Sequence, residues 1–303
     1  MIFKVKDSVN QFVNISNNDV RLYVKREDLS HEFVSGNKFR KLKYNLKEAR
    51  KQGFEVLLTF GGAYSNHIAA VASAGKLMGF ETIGVIRGEE LYGEIERNPT
   101  LMFAKECGMK FKFVSRQTYR LKTAETFLKE LIKEFGTFYV IPEGGTNALG
   151  VKGCEEILRG TDFDFDYICC SVGTGGTISG IINCSKPSQQ VLGFPALKGS
   201  FLDKDISKFV TQSNWDLITD YHFGGYAKIN LDLVEFINGF KKDYDIPLDP
   251  VYTGKMLFGV MDLISKGFFP EGSKILAIHT GGLQGVKGMN DYLKKKNIPQ
   301  IEI

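Results

Sequence analysis

Tyr167-Ile168-Cys169-Cys170-Ser171-Val172 is an apolar run that stops on Gly173-Thr174-Gly175-Gly176-Thr177 and opens into a helical pattern. A continuous apolar run of strand length bounded by glycines signals a strand buried on both faces, as in a parallel sheet. The turn after it holds three glycines and two threonines, which supply backbone N–H groups and hydroxyls suited to a phosphate. It is no dinucleotide fingerprint, because Ile178 stands where a third glycine belongs. It is no P-loop, because Ile181-Ile182 follows Gly180 instead of Lys-Ser/Thr. Glycines retained only for close packing are the other reading of this stretch.

The same strand-to-helix alternation extends outward in both directions. Further strands are expected at 56–60, 82–86, 112–115, 138–141, 191–196 and 274–279. Helical patterns lie between them, as at 124–135, 231–242 and 255–266. This alternation predicts an α/β protein with twisted, mostly parallel sheets covered by helices, in two domains.

Ligands in open parallel sheets bind beyond the carboxyl ends of the strands. Two further strand ends are therefore of interest. Gly61-Gly62-Ala63-Tyr64-Ser65-Asn66-His67 places Ser65 or Asn66 at a helix start, where free amides suit a carboxylate or phosphate; an ordinary capped turn reads equally well. Ile278-His279-Thr280-Gly281-Gly282 offers a hydroxyl that needs a partner, either a cofactor ring nitrogen or the turn itself. Upstream, Phe39, Leu42, Leu46 and Ala49 share one helical face, which puts Lys38 in the first helical turn. The positive end of the helix dipole lowers an ammonium pKa there, and a readily deprotonated lysine can form a Schiff base.

Composition excludes other classes. The 303 residues carry 43% hydrophobic and 24% charged side chains and a net charge of only +4. Lysines are interspersed with acids, and Lys294–Lys296 reads as a solvated helix end, so no nucleic-acid surface is expected. No segment reaches the roughly 18 apolar residues of a membrane span. The charged start, 1–10, does not resemble a signal peptide, and a cytoplasmic protein is expected. Five cysteines, an odd number without a CxxC pair, argue against a disulfide scaffold or zinc ribbon. The four histidines lie far apart, so no metal site is expected.

Taken in order, KREDL (25–29), SGNKFRKL (35–42), GGAYSNH (61–67), PEGGTNALG (142–150), GTGGT (173–177), DPVYTGK (249–255) and HTGG (279–282) resemble the fold type II pyridoxal-phosphate enzymes. These are the tryptophan-synthase-β-like group. Within it the chain is similar to the 1-aminocyclopropane-1-carboxylate deaminase/D-cysteine desulfhydrase family. The resemblance implies that Lys38 holds pyridoxal 5′-phosphate, that Asn66 meets its 3′ oxygen, and that Gly173, Thr174, Gly175, Gly176 and Thr177 hold its phosphate. It implies that Thr280, with Thr253 nearby, faces the pyridine nitrogen. Ser65 and its neighbours Tyr64, Asn66 and His67 would receive the substrate, with Tyr226 and Tyr252 crowding it as candidates for proton transfer. A homodimer is implied too. The expected division is a larger cofactor-binding domain of 1–50 and 149–303, with 51–148 as a smaller inserted domain.

Two positions divide the family. Ring-opening deaminases usually carry Glu after the Tyr of YxGK and Leu in HxGG; this chain has Thr253 and Thr280. A carboxylate at the ring nitrogen deepens the electron sink, whereas hydroxyls do so weakly. That suffices for β-elimination, where a good leaving group departs. The expectation is a D-cysteine-desulfhydrase-like lyase giving pyruvate, ammonia and hydrogen sulfide, with the ring-opening deaminase as runner-up and a non-catalytic cofactor binder as the rival from another class. Tyr64 departs from the family, whose members commonly have Gln there, and leaves other D-amino acids open as substrates.

Overall fold

The computed structural model describes residues 6–15, 19–31, 34, 36–199 and 202–303. Ser35 of the SGNKFRKL stretch lies outside them. The strands are β1 (Asn10–Val13), β2 (Arg21–Lys25), β3 (Val56–Gly62), β4 (Glu81–Arg87), β5 (Lys110–Val114), β6 (Tyr139–Ile141), β7 (Tyr167–Val172), β8 (Gln190–Pro195), β9 (Trp215–Leu217) and β10 (Lys274–Ile278). They form one six-stranded sheet in the order β1-β2-β10-β7-β8-β9 and one four-stranded sheet in the order β5-β4-β3-β6. Every pairing is parallel except β1 with β2.

The reason for the unbroken apolar strands is visible in how their side chains divide. Successive residues of a strand point to opposite faces. Cys169 of β7 and Ile275 and Ala277 of β10 join the core beneath the helices Leu231–Tyr244 and Thr253–Ser265. Ile168, Cys170 and Val172 of β7 and Leu276 and Ile278 of β10 join the opposite core, beneath the helix Gly176–Cys184. Both faces are covered, so neither can be polar. The small sheet repeats the arrangement: Leu57 of β3 packs with the helix Asn66–Met78, while Leu58 and Phe60 pack on the other side with Phe127 and Leu131. Each fully buried Leu or Ile of this kind contributes about 1.5–3 kcal/mol.

The seven expected strands are present, β7 at the expected bounds and the other six with ends shifted by one or two residues; β1, β2 and β9 were not anticipated. β2 carries charges at both ends, and Lys25 is buried only because it pairs with Asp162 at 2.7 Å. That partner lies 137 positions away and has no local signature. The rest of KREDL is structural as well. Glu27 is fully buried and receives Arg40 in two bonds, Nε to Oε2 and Nη2 to Oε1, each 2.9 Å. Its carbonyl accepts the Gly36 amide at 2.9 Å. The pair thus ties the loop ahead of the helix Asn37–Lys51 to that helix, and with it the position of Lys38.

Candidate active site

The carboxyl ends of both sheets converge on a cavity of about 700 Å³. Of the residues anticipated for the site, Lys38, Tyr64, Ser65, Asn66, His67, Gly173, Thr174, Gly175, Thr177, Tyr226, Tyr252 and Thr280 line it; Gly176 and Thr253 do not.

Lys38 occupies the second position of the helix Asn37–Lys51. Gly36 just before it is at φ +60°, and a Cβ there would stand 2.1 Å from the Thr280 carbonyl oxygen, so only glycine fits. This contact brings the lysine helix against the Thr280 turn, and the Asn37 amide donates to the same carbonyl at 3.3 Å. Lys38 Nζ donates to Asn37 Oδ1 at 2.8 Å, and Asn37 Nδ2 donates to Thr177 Oγ1 at 2.9 Å. Burial, with the nearby Lys41 ammonium, brings the Lys38 pKa from 10.5 down to about 7. A substantial neutral fraction near pH 7 makes this amine a competent nucleophile.

The glycine turn after β7 forms one side of the cradle, and the loop before the helix Ala148–Cys154 forms the other. Thr146 Oγ1 and Thr174 Oγ1 lie 2.5 Å apart across it. Lys41, 3% exposed, reaches between them and donates to the Gly144 carbonyl at 3.0 Å, Thr146 Oγ1 at 3.1 Å and Thr174 Oγ1 at 3.4 Å. A Cβ on Gly176 would come within 2.7 Å of Thr146 Oγ1 and 3.2 Å of Lys41 Nζ, so glycine leaves these two side chains their places. Lys41 and Thr146 escaped the sequence reading, because their meeting spans 105 positions.

Ser65 caps the helix Asn66–Met78, its Oγ accepting from the Ile68 amide at 3.4 Å. Asn66 Oδ1 is buried without a hydrogen-bond partner in the cavity wall. Such an atom is costly to leave unmet and, as an acceptor, points to a hydrogen-bond donor on a ligand. His67 lines the cavity and is tied to the fold through Nε2: Thr59 Oγ1 donates to the Ile141 carbonyl at 2.8 Å and so must accept from His67 Nε2, also at 2.8 Å, while Nδ1 is buried without a partner. Burial and the charges of Lys38 and Lys41 hold the His67 pKa well below its usual value, which leaves it neutral.

Thr280 Oγ1 lies 3.3 Å from Ser171 Oγ. Its neighbour His279 accepts from the Gly281 amide through Nδ1 at 3.2 Å, so Nε2 carries the proton toward the Pro247 carbonyl at 2.7 Å. The expectation for Thr253 needs correction. Its hydroxyl donates to Asp249 Oδ1 at 2.7 Å and accepts from the Asp249 amide at 3.0 Å, which spends it on the loop. The Asp249 carboxylate also receives the amides of Val251, Tyr252 and Thr253 at 2.8–2.9 Å. This tight loop sets Tyr252 beside Tyr226, with ring centroids 6.2 Å apart. Burial raises both phenol pKa values, that of Tyr252 far above its usual value, so both stay protonated. Tyr64 is half exposed at the rim, where its ring covers Gly288 of the helix Gly285–Lys295.

Pyridoxal phosphate fits this set: a deprotonatable lysine, a cradle of Gly173, Thr174, Gly175 and the Lys41 ammonium, and an orphaned Asn66 oxygen all face one cavity. The family model described as pyridoxal-phosphate dependent enzyme matches residues 10–281, and the protein is an enzyme of that class. A putative 1-aminocyclopropane-1-carboxylate deaminase of Pyrococcus horikoshii is 34% identical over 291 residues, covering 90% of this chain and 87% of its own. A bifunctional D-cysteine desulfhydrase/1-aminocyclopropane-1-carboxylate deaminase of Arabidopsis thaliana is 32% identical, covering 91% and 76%. The crystal structure of an ACC deaminase homologue aligns with a TM-score of 0.79 at 30% identity, over 96% of this chain and 94% of its own. The chain belongs to the 1-aminocyclopropane-1-carboxylate deaminase/D-cysteine desulfhydrase family, with the tryptophan-synthase-β-like fold.

Proposed function

We propose that this enzyme catalyses β-elimination from a small amino acid in the manner of a D-cysteine desulfhydrase. Lys38 carries the cofactor. The turn 173–177, Lys41 and Thr146 hold its phosphate, Asn66 meets its 3′ oxygen, and Thr280 meets the ring nitrogen. When bound, pyridoxal phosphate supplies an electron sink conjugated to the substrate α-carbon. Ser65 and the amides at the start of the helix Asn66–Met78 receive the substrate carboxylate.

Lys38 suits the role of base, because it alone of the proton-moving candidates has a lowered pKa, near 7. Tyr226 and Tyr252, held protonated, act as donors. Over the reaction the α-C–H bond breaks to the base, and the Cβ–S bond breaks with its electron pair leaving as thiolate. The released 2-aminoacrylate takes up water to give pyruvate and ammonia.

The observation that carries this reading is the hydroxyl pair of Thr280 and Ser171 at the cofactor end of the cavity. Hydroxyls support the weaker electron sink that suffices when a good leaving group departs. The nearby Asp249 carboxylate is consumed by three amides and Thr253. The names of the relatives favour a second reading, ring opening of 1-aminocyclopropane-1-carboxylate. Purified enzyme assayed with both compounds distinguishes them. Pyruvate from D-cysteine should form faster than 2-oxobutyrate from the cyclopropane; the reverse order overturns the proposal. Full cofactor loading with no turnover of any β-substituted amino acid would instead mark a non-catalytic binder.

The proposal includes a cytoplasmic homodimer and two domains, 1–50 with 149–303 and 51–148. The four-stranded sheet, contained within residues 56–141, supports that division.

A further inference from the structure

The cavity holds a cation that the elimination chemistry above does not use. Arg87 ends β4, where it is paired in register with Gly62 at the end of β3, and it lines the cavity. Its Nη2 lies 3.8 Å from where a Cβ on Gly62 would stand, three residues ahead of Ser65. The guanidinium sits over the Tyr119 ring, 5.7 Å from the centroid. Its charge reaches the cavity tyrosine: burial raises the Tyr226 pKa, and Arg87 opposes that rise.

Among the described residues, the Arg87 guanidinium makes no hydrogen bond and no ion pair within 4 Å. The acids around it are already engaged. Glu143, also in the wall, pairs with Lys122 at 3.4 Å, and Glu90 pairs with Arg116 at 2.7 Å. Asp249 is spent on its own loop. Arg87 is exposed at the end of its strand, whereas the deeper cations of the wall have partners: Lys41 has three oxygens and Lys38 has Asn37. A planar five-donor fork at a strand end, set over an aromatic ring and left without an acid, is suited to a carboxylate, sulfonate or phosphate.

We propose that Arg87 is a specificity-determining residue that binds an anionic β-substituent, so that the preferred substrates are amino acids whose leaving group carries its own negative charge. The inference rests on the elimination reading above. With a phosphate ester, the α-C–H bond breaks to the base and the Cβ–O bond breaks with its electron pair leaving on phosphate. The released 2-aminoacrylate then takes up water to give pyruvate and ammonia.

The test is initial-rate kinetics of keto-acid release from O-phosphoserine and from β-chloroalanine, each as both enantiomers, with wild type, Arg87→Gln and Arg87→Lys. Cofactor content is followed by visible absorbance. In wild type, kcat/KM for O-phosphoserine should exceed that for β-chloroalanine. Arg87→Gln should lower the ratio of the two by about 10- to 100-fold, mainly through KM for O-phosphoserine, with Arg87→Lys between. Equal losses on both substrates would assign Arg87 to the α-carboxylate, and loss of the visible band would assign it to the cofactor; either overturns the inference. So does a ratio that stays within about threefold, or wild type that turns over β-chloroalanine and not O-phosphoserine. Failure on every β-substituted amino acid would sink the elimination reading itself.

Discussion

Lys41→Met should act in opposite directions on the cofactor-free and cofactor-loaded enzyme. The wild-type ammonium is 3% exposed and bonded to three neutral oxygens, with no carboxylate within 4 Å among the described residues. Burial lowers its pKa below 10.5, so the charged form is held at a cost. Methionine keeps the length and removes the charge. In the cofactor-free protein the substitution should therefore be neutral or stabilising, as is common where function retains an unfavourable group. On the proposed assignment the same ammonium would face the cofactor phosphate in the loaded protein, and a charge-assisted contact is worth about 1.5–3 kcal/mol, or roughly 10- to 150-fold in affinity.

The pH dependence carries a sign. Because the folded pKa of Lys41 lies below the unfolded one, the unfolded chain binds more protons between the two values. Wild-type stability should accordingly gain a component that rises with pH across that window, and Lys41→Met should lack it. Urea unfolding of both cofactor-free proteins at about pH 7 and about pH 9.5, with cofactor affinity from visible absorbance, measures every part. Affinity within about threefold of wild type would refute the assignment of Lys41 to the phosphate. An equal loss of cofactor-free stability would show a structural role instead.

Other outcomes follow from the same geometry. The rate at which cofactor-free enzyme captures pyridoxal phosphate should rise with pH and level off above about 7, where Lys38 is neutral, as stopped-flow absorbance would show; a rate still rising toward pH 10 would contradict it. Gly176→Ala places a methyl 3.2 Å from Lys41 Nζ and 2.7 Å from Thr146 Oγ1. It should weaken cofactor binding at least about tenfold while circular dichroism stays unchanged, and wild-type affinity would place the phosphate elsewhere.

The two-sheet α/β architecture was legible because strands such as β7 bury both faces and therefore carry unbroken apolar runs. β1, β2 and β9 were not, because β2 needs Asp162 to neutralise Lys25, and β1 and β9 are short edge strands containing polar residues. Lys38, Asn66 and Thr280 were visible as oddities at strand and helix ends, and the cavity brings them together. Lys41 and Thr146 were not singled out, since a buried contact across some hundred positions leaves no mark in a local window, and Arg87 reads in sequence as an ordinary charged strand end. Thr253 was placed by pattern with Thr280, yet its hydroxyl belongs to Asp249. The spacing held a clue: an Asp followed by amides two, three and four positions on is a side-chain-to-backbone turn. Tyr64 reads as a substrate contact in sequence, and its seat on Gly288 makes it a rim residue.

The central claim is that Lys38 carries the cofactor, and it has rivals, since Lys41 and Lys255 are also buried with lowered pKa values, Lys255 to about 8. Borohydride reduction of the loaded enzyme, followed by peptide mass spectrometry, fixes the cofactor to the lysine that holds it. The label should appear on Lys38 and be absent from Lys38→Ala protein. A label on Lys41 or Lys255 in the wild-type enzyme would contradict the account.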